Sequence, residues 1–193
     1  MMSFRSAWVL SSIAALSLFA VGCAAPKGGT PVEKRADAQR MRAEALDAFY
    51  ARMPDMRAQL AAAPGYGVFS GVGTQTIIMS SGNGFGIVRD NATGTDTYMR
   101  ALKLGGGLGA GITDVRAIVV FHDAAVMRDF VESGWGVTGR ADAAAKVGEA
   151  GGAGGMVITL PGMTIYRFTE NGVMLGGAIE GVKIWKDEEL NAM

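Results

Sequence analysis

The hydrophobic pattern changes character three times along the chain. An apolar run over residues 13–21, interrupted only by Ser17, follows a short start with a single positive charge at Arg5. Between about residues 32 and 53, apolar positions recur every three or four residues, as they do on one face of a helix. Beyond Gly65 the period becomes two, which is typical of strands. The pattern therefore predicts a leader, a helical segment and a β-rich domain.

The leader combines the charged start and apolar centre of a secretory signal. Its apolar part is shorter than the ~20 residues needed to cross a bilayer, so we expect it to be cut. It ends in Ala20, Val21, Gly22 and Cys23, which resemble the bacterial lipobox that a lipoprotein signal peptidase recognises. In that case residues 1–22 are the signal peptide and Cys23 is acylated. The alternative is an ordinary secreted protein with a chance cysteine.

The location of the mature protein follows from the lipobox. Ala24 rather than an aspartate follows the cysteine, and lipoproteins of that kind are usually moved to the outer membrane. Several acyl chains, such as diacylglyceryl and palmitate groups on Cys23, would anchor the protein stably. We expect a lipid-anchored protein on the periplasmic face of the bacterial outer membrane.

The mature chain begins with a predicted flexible tether, residues 23–29, and a helical segment, residues 30–63. Thr30, Pro31 and Glu33 form a helix start with an N-cap, a proline in the first turn and a capping box. Pro54 should interrupt the helix. A β-rich domain is predicted over residues 64–186, followed by a charged tail, residues 187–193.

The β-rich domain is expected to contain about eight short antiparallel strands, with glycine-containing turns between several of them, at residues 71–73, 81–84 and 161–162. One internal helix is predicted over residues 123–133, capped by Asp123 and Gly134. The Asn171-Gly172 pair predicts a hairpin. Residues 140–155 are ambiguous and favour strand. The predicted strands are residues 66–70, 76–80, 85–89, 97–104, 115–122, 135–138, 156–160, 163–169 and 178–185.

These elements predict an α+β fold: an N-terminal helix plus a glycine-rich, strongly curved antiparallel sheet or barrel-like β domain with one internal helix. The 29 glycines lie among apolar residues rather than among serine and glutamine, which argues against a disordered chain. Formal charge is balanced, and loss of Arg5 leaves the mature form near −1, so no basic excess indicates a nucleic-acid partner. The single cysteine allows no internal disulfide.

Few side chains suit catalysis, and we expect no enzymatic activity. His122, the only histidine, precedes Asp123, but neighbours on a strand point to opposite faces. The segment from Gly105 to Ala110 matches G-x-G-x-x-A, yet no helix pattern follows it, so a dinucleotide site is not expected. No spacing of histidines and carboxylates suggests a metal site, and no cofactor is predicted.

Basic residues of the first helix are the candidate contacts with lipid headgroups: Lys34, Arg35, Arg40 and Arg42. Acidic residues alternate with them, so a mixed, solvated helix face is the competing interpretation.

The run Pro64-Gly65-Tyr66-Gly67-Val68-Phe69 resembles the opening signature of the SYLF domain family. The order of later features is also similar: the glycine segment at 104–111, the apolar run at 117–121, a short helix holding Phe130, and a closing segment with Asn171-Gly172 and further glycines. The resemblance covers residues 63–185. It implies a lipid-binding domain, as in eukaryotic trafficking proteins and bacterial lipoproteins of this family, although the family's contact residues do not map here one by one.

The sequence therefore predicts two alternative functions. The first is a non-enzymatic, membrane-anchored protein that binds lipid or envelope components, with phospholipid as a candidate ligand of the domain. The second is a structural or protein-partner module whose only membrane contact is its acyl anchor; its protein partner is not identified by the sequence.

Overall fold

The computed structural model describes residues 25–75, 79–137, 146–149 and 155–192. The predicted signal peptide and the lipobox-like residues Ala20, Val21, Gly22 and Cys23 lie outside this range, as do parts of the predicted segments at 76–80 and 140–155. The described elements are, in order, α1 (Pro31–Arg52), α2 (Met56–Ala62), β1 (Gly65–Gln75), β2 (Met79–Asp90), β3 (Asp96–Phe121), α3 (Ala124–Glu132), β4 (Trp135–Val137), β5 (Lys146–Glu149), β6 (Gly155–Leu160), β7 (Met163–Lys186) and α4 (Glu188–Asn191).

The start of α1 is built as the sequence predicts. The Thr30 hydroxyl accepts from the Glu33 backbone N–H at 3.3 Å, and the Glu33 carboxylate accepts from the Thr30 N–H at 3.1 Å, which completes a capping box. Helix α1 ends at Arg52, just before Pro54, and α2 resumes at Met56. The predicted interruption at Pro54 is confirmed.

The strands form one antiparallel sheet of seven strands within the described residues. Strand β3 is unusual because its first half pairs with β2 and its second half with β1, while β1 and β2 also pair with each other. Because β1 and β2 are antiparallel to each other, and each half of β3 is antiparallel to its own partner, the two halves of β3 run in opposite directions. Strand β3 therefore bends around the β1–β2 hairpin. Strand β7 pairs along almost all of β3 and bends around it in turn. The sheet is consequently strongly curled, and the predicted α+β class with a curved antiparallel sheet is confirmed.

The prediction of short strands is confirmed for β4 and β6 and is wrong for β1, β2, β3 and β7. Residues 71–73 and 81–84, predicted as turns, lie inside β1 and β2, and the glycine segment 105–111 continues β3. The predicted hairpin at Asn171-Gly172 is also wrong, because Thr169 pairs with Val115 and Asn171 with Asp114, leaving Glu170 as a β-bulge within β7. Glycine and bulged positions bend these strands without ending them.

The internal helix and the turn that follows β6 are confirmed. The Asp123 carboxylate accepts from the Ala125 N–H at 2.6 Å to cap α3, and Gly134 adopts φ +75° just after it. Gly162 has φ +76° in the two-residue turn between β6 and β7, a left-handed conformation that favours glycine. The described part of the ambiguous segment at 140–155 contains β5 and the start of β6.

Helices cover both faces of the sheet. Helices α1 and α2 pack on one face, which we call the outer face, through Ala38, Met41, Phe49 and Leu60 among others. Helix α3 packs on the opposite, inner face, where Met127 and Phe130 join a cluster of strand residues. The curl of the sheet and these two layers place most of the apolar core on either side of β1 and β3.

The two ends of the domain differ from the prediction of a flexible tether and a charged tail. The backbone N–H groups of Lys27 and Gly29 donate to Asp37 and Glu33, each at 2.8 Å, so this part of the tether is held against α1. Residues of the predicted tail form α4, in which Leu190 is buried. Apolar packing and backbone hydrogen bonds, which charge pattern alone does not reveal, order both segments.

Candidate functional site

The inner face of the sheet carries an apolar groove of about 190 Å³. Its lining comes from β1, β2, β3, β4, β6 and β7, so the sheet curls around it and the inner face is concave. Apolar side chains make up most of the wall: Val115, Ala117, Val119, Ile158, Ile165, Val182 and Ile184.

Glycines on β1 and β2 create the space for this groove. Gly71, Gly82 and Gly84 border it, so this part of the wall is bare backbone. A Cβ placed on Gly71 would meet only backbone atoms of Asn83 and Gly84, at 3.4 and 3.9 Å, which is ordinary contact. A larger side chain at position 71 would thus occupy the groove rather than distort the sheet.

Aromatic packing closes one end of the groove. The Phe130 ring of α3 lies with its centroid 6.0 Å from that of Phe69, 5.2 Å from Phe121 and 5.8 Å from Trp135. Phe69 covers the backbone of Gly86, where an added Cβ would come 2.6 Å from the Val68 carbonyl oxygen and would also clash with the Phe69 ring. The floor beneath this aromatic cluster is therefore fixed by close backbone approach.

Two basic side chains, Lys103 and Arg167, border the groove. The described residues that line it include no aspartate or glutamate. An apolar wall with basic groups is complementary to a molecule that has a hydrocarbon part and an anionic group. No motif in the sequence marks Lys103 and Arg167 as site residues. The alternation of apolar positions in their strands, together with strand register, was the signal that could have placed them on the inner face.

The four basic residues predicted to contact headgroups are mostly bound to the protein itself. Lys34 pairs with Glu189 at 2.7 Å, and Arg35 donates to the carbonyl oxygens of Leu190 and Ala192 at 2.8 and 2.5 Å. These contacts join α1 to α4.

Arg40 and Arg42, the other two predicted contacts, differ in solvent exposure. The Arg42 side chain is only 15% exposed and pairs with Asp96 at 2.7 Å, whereas the Arg40 side chain is 62% exposed beside Asp37 and Glu44. Lys34, Arg35 and Arg42 thus hold α1 against the domain, and Arg40 is the one of the four with a mainly solvent-exposed charge.

His122 and Asp123 do not act together. The His122 Nε2 atom lies 2.9 Å from the Thr164 hydroxyl, while Asp123 caps α3. The segment from Gly105 to Ala110 is followed by more of β3 and not by a helix. Within the described ranges, no group of three or more potential ligands could hold a metal ion, and no helix is long and apolar enough to cross a membrane.

The chain is similar in sequence to a known bacterial protein. No family model matches the chain. Over 166 residues the chain is 30% identical to Beta cell expansion factor A of Aeromonas veronii, an alignment that covers 83% of this chain and 60% of that protein. The chain thus spans about three fifths of the length of the relative that it matches.

Proposed function

We propose that this protein is a non-enzymatic lipoprotein of the bacterial outer membrane, anchored through Cys23, whose domain binds lipid in the inner groove. The single observation that carries the proposal is the apolar groove bordered by Lys103 and Arg167. The lipobox-like residues at 20–23 and the resemblance to the SYLF domain family support it.

The size of the groove indicates how much of a lipid it takes. Its volume of about 190 Å³ is close to that of the ~150 Å³ apolar cavity that accepts benzene, and well below the ~300–1,000 Å³ of pockets that enclose a drug-sized ligand. The groove therefore holds part of one acyl chain rather than both chains of a phospholipid. A carboxylate or phosphate on that lipid would lie against Lys103 or Arg167.

The test uses the domain without its anchor, produced without residues 1–22 and with Cys23→Ala. We expect this domain to bind a fluorescent fatty acid, and to float with vesicles that contain anionic phospholipid. A chain that occupies the groove should be displaced by Gly71→Leu, because the new side chain takes the place of about three methylenes. At about 0.8 kcal/mol for each buried methylene, affinity should fall roughly fifty-fold.

Thr159→Leu is the matched control, since Thr159 is exposed on β6 and does not border the groove. It should bind like the parent domain. Equal binding by Gly71→Leu and the parent would exclude the groove as the site. Absence of binding to the fatty acid and to every vesicle, with capture of a specific envelope protein, would favour the protein-partner module instead.

A further inference from the structure

We propose that the domain lies on the bilayer through one defined area of its outer face, a patch formed by Leu102, Leu104, Lys183 and Trp185. We call this area the tether-side patch. The inference rests on the proposed acylation of Cys23 and adds to it an orientation that the anchor alone does not supply.

Strand register places these four residues together. Leu102 pairs with Lys183, and the neighbouring positions along the same strands bring Leu104 opposite Gly181 and Trp185 opposite Arg100. Side chains at alternate positions share a face, so all four belong to the outer face of their strands. Leu102 borders the groove as well as the patch. Helix α1 leaves Leu104 uncovered, at 56% exposure.

The position of the tether brings the anchor to this patch. Ala25 and Pro26 border one pocket together with Leu102 and Trp185. Cys23 precedes Ala25 by two residues, and two residues span at most about 7 Å. Hydrogen bonds from Lys27 and Gly29 hold the following residues to α1. An acylated Cys23 would therefore bring the membrane surface close to the patch.

The chemistry of the patch suits the interface of a bilayer. Tryptophan and lysine have apolar bodies with polar ends and are favoured at that depth, and leucine supplies apolar area. Two acidic groups next to the patch are neutralised, because Asp187 pairs with Arg100 at 2.7 Å and Glu189 with Lys34 at 2.7 Å.

The strands that carry the patch continue into uncharged segments. No charged residue occurs at 104–113 in β3 or at 171–179 in β7, the stretches in which these two strands bend. Glu180, which pairs with Gly105, is the nearest charged residue beyond Leu104 in these two strands, and the uncharged segments themselves add no charge that would have to be desolvated at a membrane.

Tryptophan fluorescence tests this orientation on the acylated, full-length mature protein. Of the three tryptophans, Trp8 leaves with the signal peptide, Trp185 belongs to the patch, and Trp135 borders the inner groove on the opposite face. Two single-tryptophan proteins, Trp135→Phe and Trp185→Phe, would be bound to phosphatidylcholine–phosphatidylglycerol vesicles with either brominated or ordinary acyl chains. Brominated chains quench tryptophans that reach the acyl region.

We expect loss of Trp185 emission in brominated vesicles, with a blue shift on binding. Adding Leu104→Asp should diminish this quenching, because a carboxylate at that position disfavours contact with the bilayer. Met156→Asp is the matched control: Met156 is also an exposed apolar residue, at 38%, but lies on β6 away from the patch. It should leave the quenching of Trp185 unchanged.

Protein that floats with the vesicles while Trp185 stays unquenched would overturn the orientation and leave the anchor intact. Quenching of Trp135 alone would also overturn it, because the mouth of the groove would then face the bilayer. Failure of the wild-type mature protein to carry an acyl group, seen by mass spectrometry, would instead reject the proposed anchor on which the inference rests.

Discussion

Asp96 accepts hydrogen bonds from both α1 and the sheet, and its removal should destabilise the fold. Its carboxylate accepts from Arg42 at 2.7 Å, from Arg89 at 2.8 Å and from Gln39 at 2.8 Å. The Asp96 and Arg42 side chains are only 16% and 15% exposed. Asp96→Ala would leave two largely buried guanidinium groups without this partner.

The exposure of each group sets the size of the effect. Breaking a fully buried ion pair costs about 3–5 kcal/mol, and an exposed pair contributes about 0–1 kcal/mol. The Asp96 side chain is mostly buried and pairs with two arginines, so its pairs resemble buried ion pairs more than exposed ones. We therefore expect Asp96→Ala to lower the free energy of unfolding by about 3 kcal/mol. Arg42→Ala should lower it by about 1.5 kcal/mol, because Asp96 keeps Arg89 and Gln39. Arg40→Ala should change it by less than about 0.5 kcal/mol, since that side chain is 62% exposed.

Urea unfolding of the domain without its anchor, followed by circular dichroism, measures the free energy of unfolding for this series. The three variants should keep the slope of the parent and move the midpoint in the order Asp96, Arg42, Arg40. Equal destabilisation by Arg40→Ala and Arg42→Ala would refute the reasoning, because it would mean that burial does not distinguish the two arginines. The same variants separate a structural role of these arginines from contact with lipid headgroups: only Arg40→Ala can weaken vesicle binding without loss of stability.

Three further predictions concern the cap, the inner core and the glycines. Backbone hydrogen bonds from Gly29 and Thr30 lower the pKa of Glu33 in the folded protein. The charge of Glu33 therefore stabilises the fold above the unfolded pKa of about 4.3, and this contribution disappears as pH falls through the lower folded pKa. The stability difference between wild type and Glu33→Gln, from urea midpoints, should shrink between pH 7 and pH 3. Phe130→Ala should cost about 3–5 kcal/mol in thermal or urea unfolding, and a cost below about 1 kcal/mol would contradict its place in the aromatic cluster. Gly86→Ala should cost about 2–3 kcal/mol because its Cβ meets backbone at 2.6 Å, whereas Gly71→Ala should fold with near-parent stability; similar melting temperatures for both variants would disprove the close approach at Gly86.

Local signals in the sequence were sufficient for α1 and α3 but not for α4, which was predicted as a charged tail. Thr30, Glu33 and Pro54 set the limits of α1, and Asp123 and Gly134 those of α3, because capping and proline effects act within one turn. They were not sufficient for the ends of the strands. Asn171-Gly172 has the composition of a hairpin, but pairing with β3 on both sides keeps β7 extended and turns the motif into a bulge.

The function and the candidate site are likewise only partly predictable from the sequence. Hydropathy and the lipobox-like residues predict an anchored, α+β protein with a curved glycine-rich sheet, because burial and turn preferences are properties of short segments. Where the groove lies depends on which strands are neighbours, and this is decided by the bending of β3 around the β1–β2 hairpin. The tertiary structure alone brings Lys103 and Arg167 to one groove and ties Arg42 to Asp96, because both contacts join segments far apart in the chain.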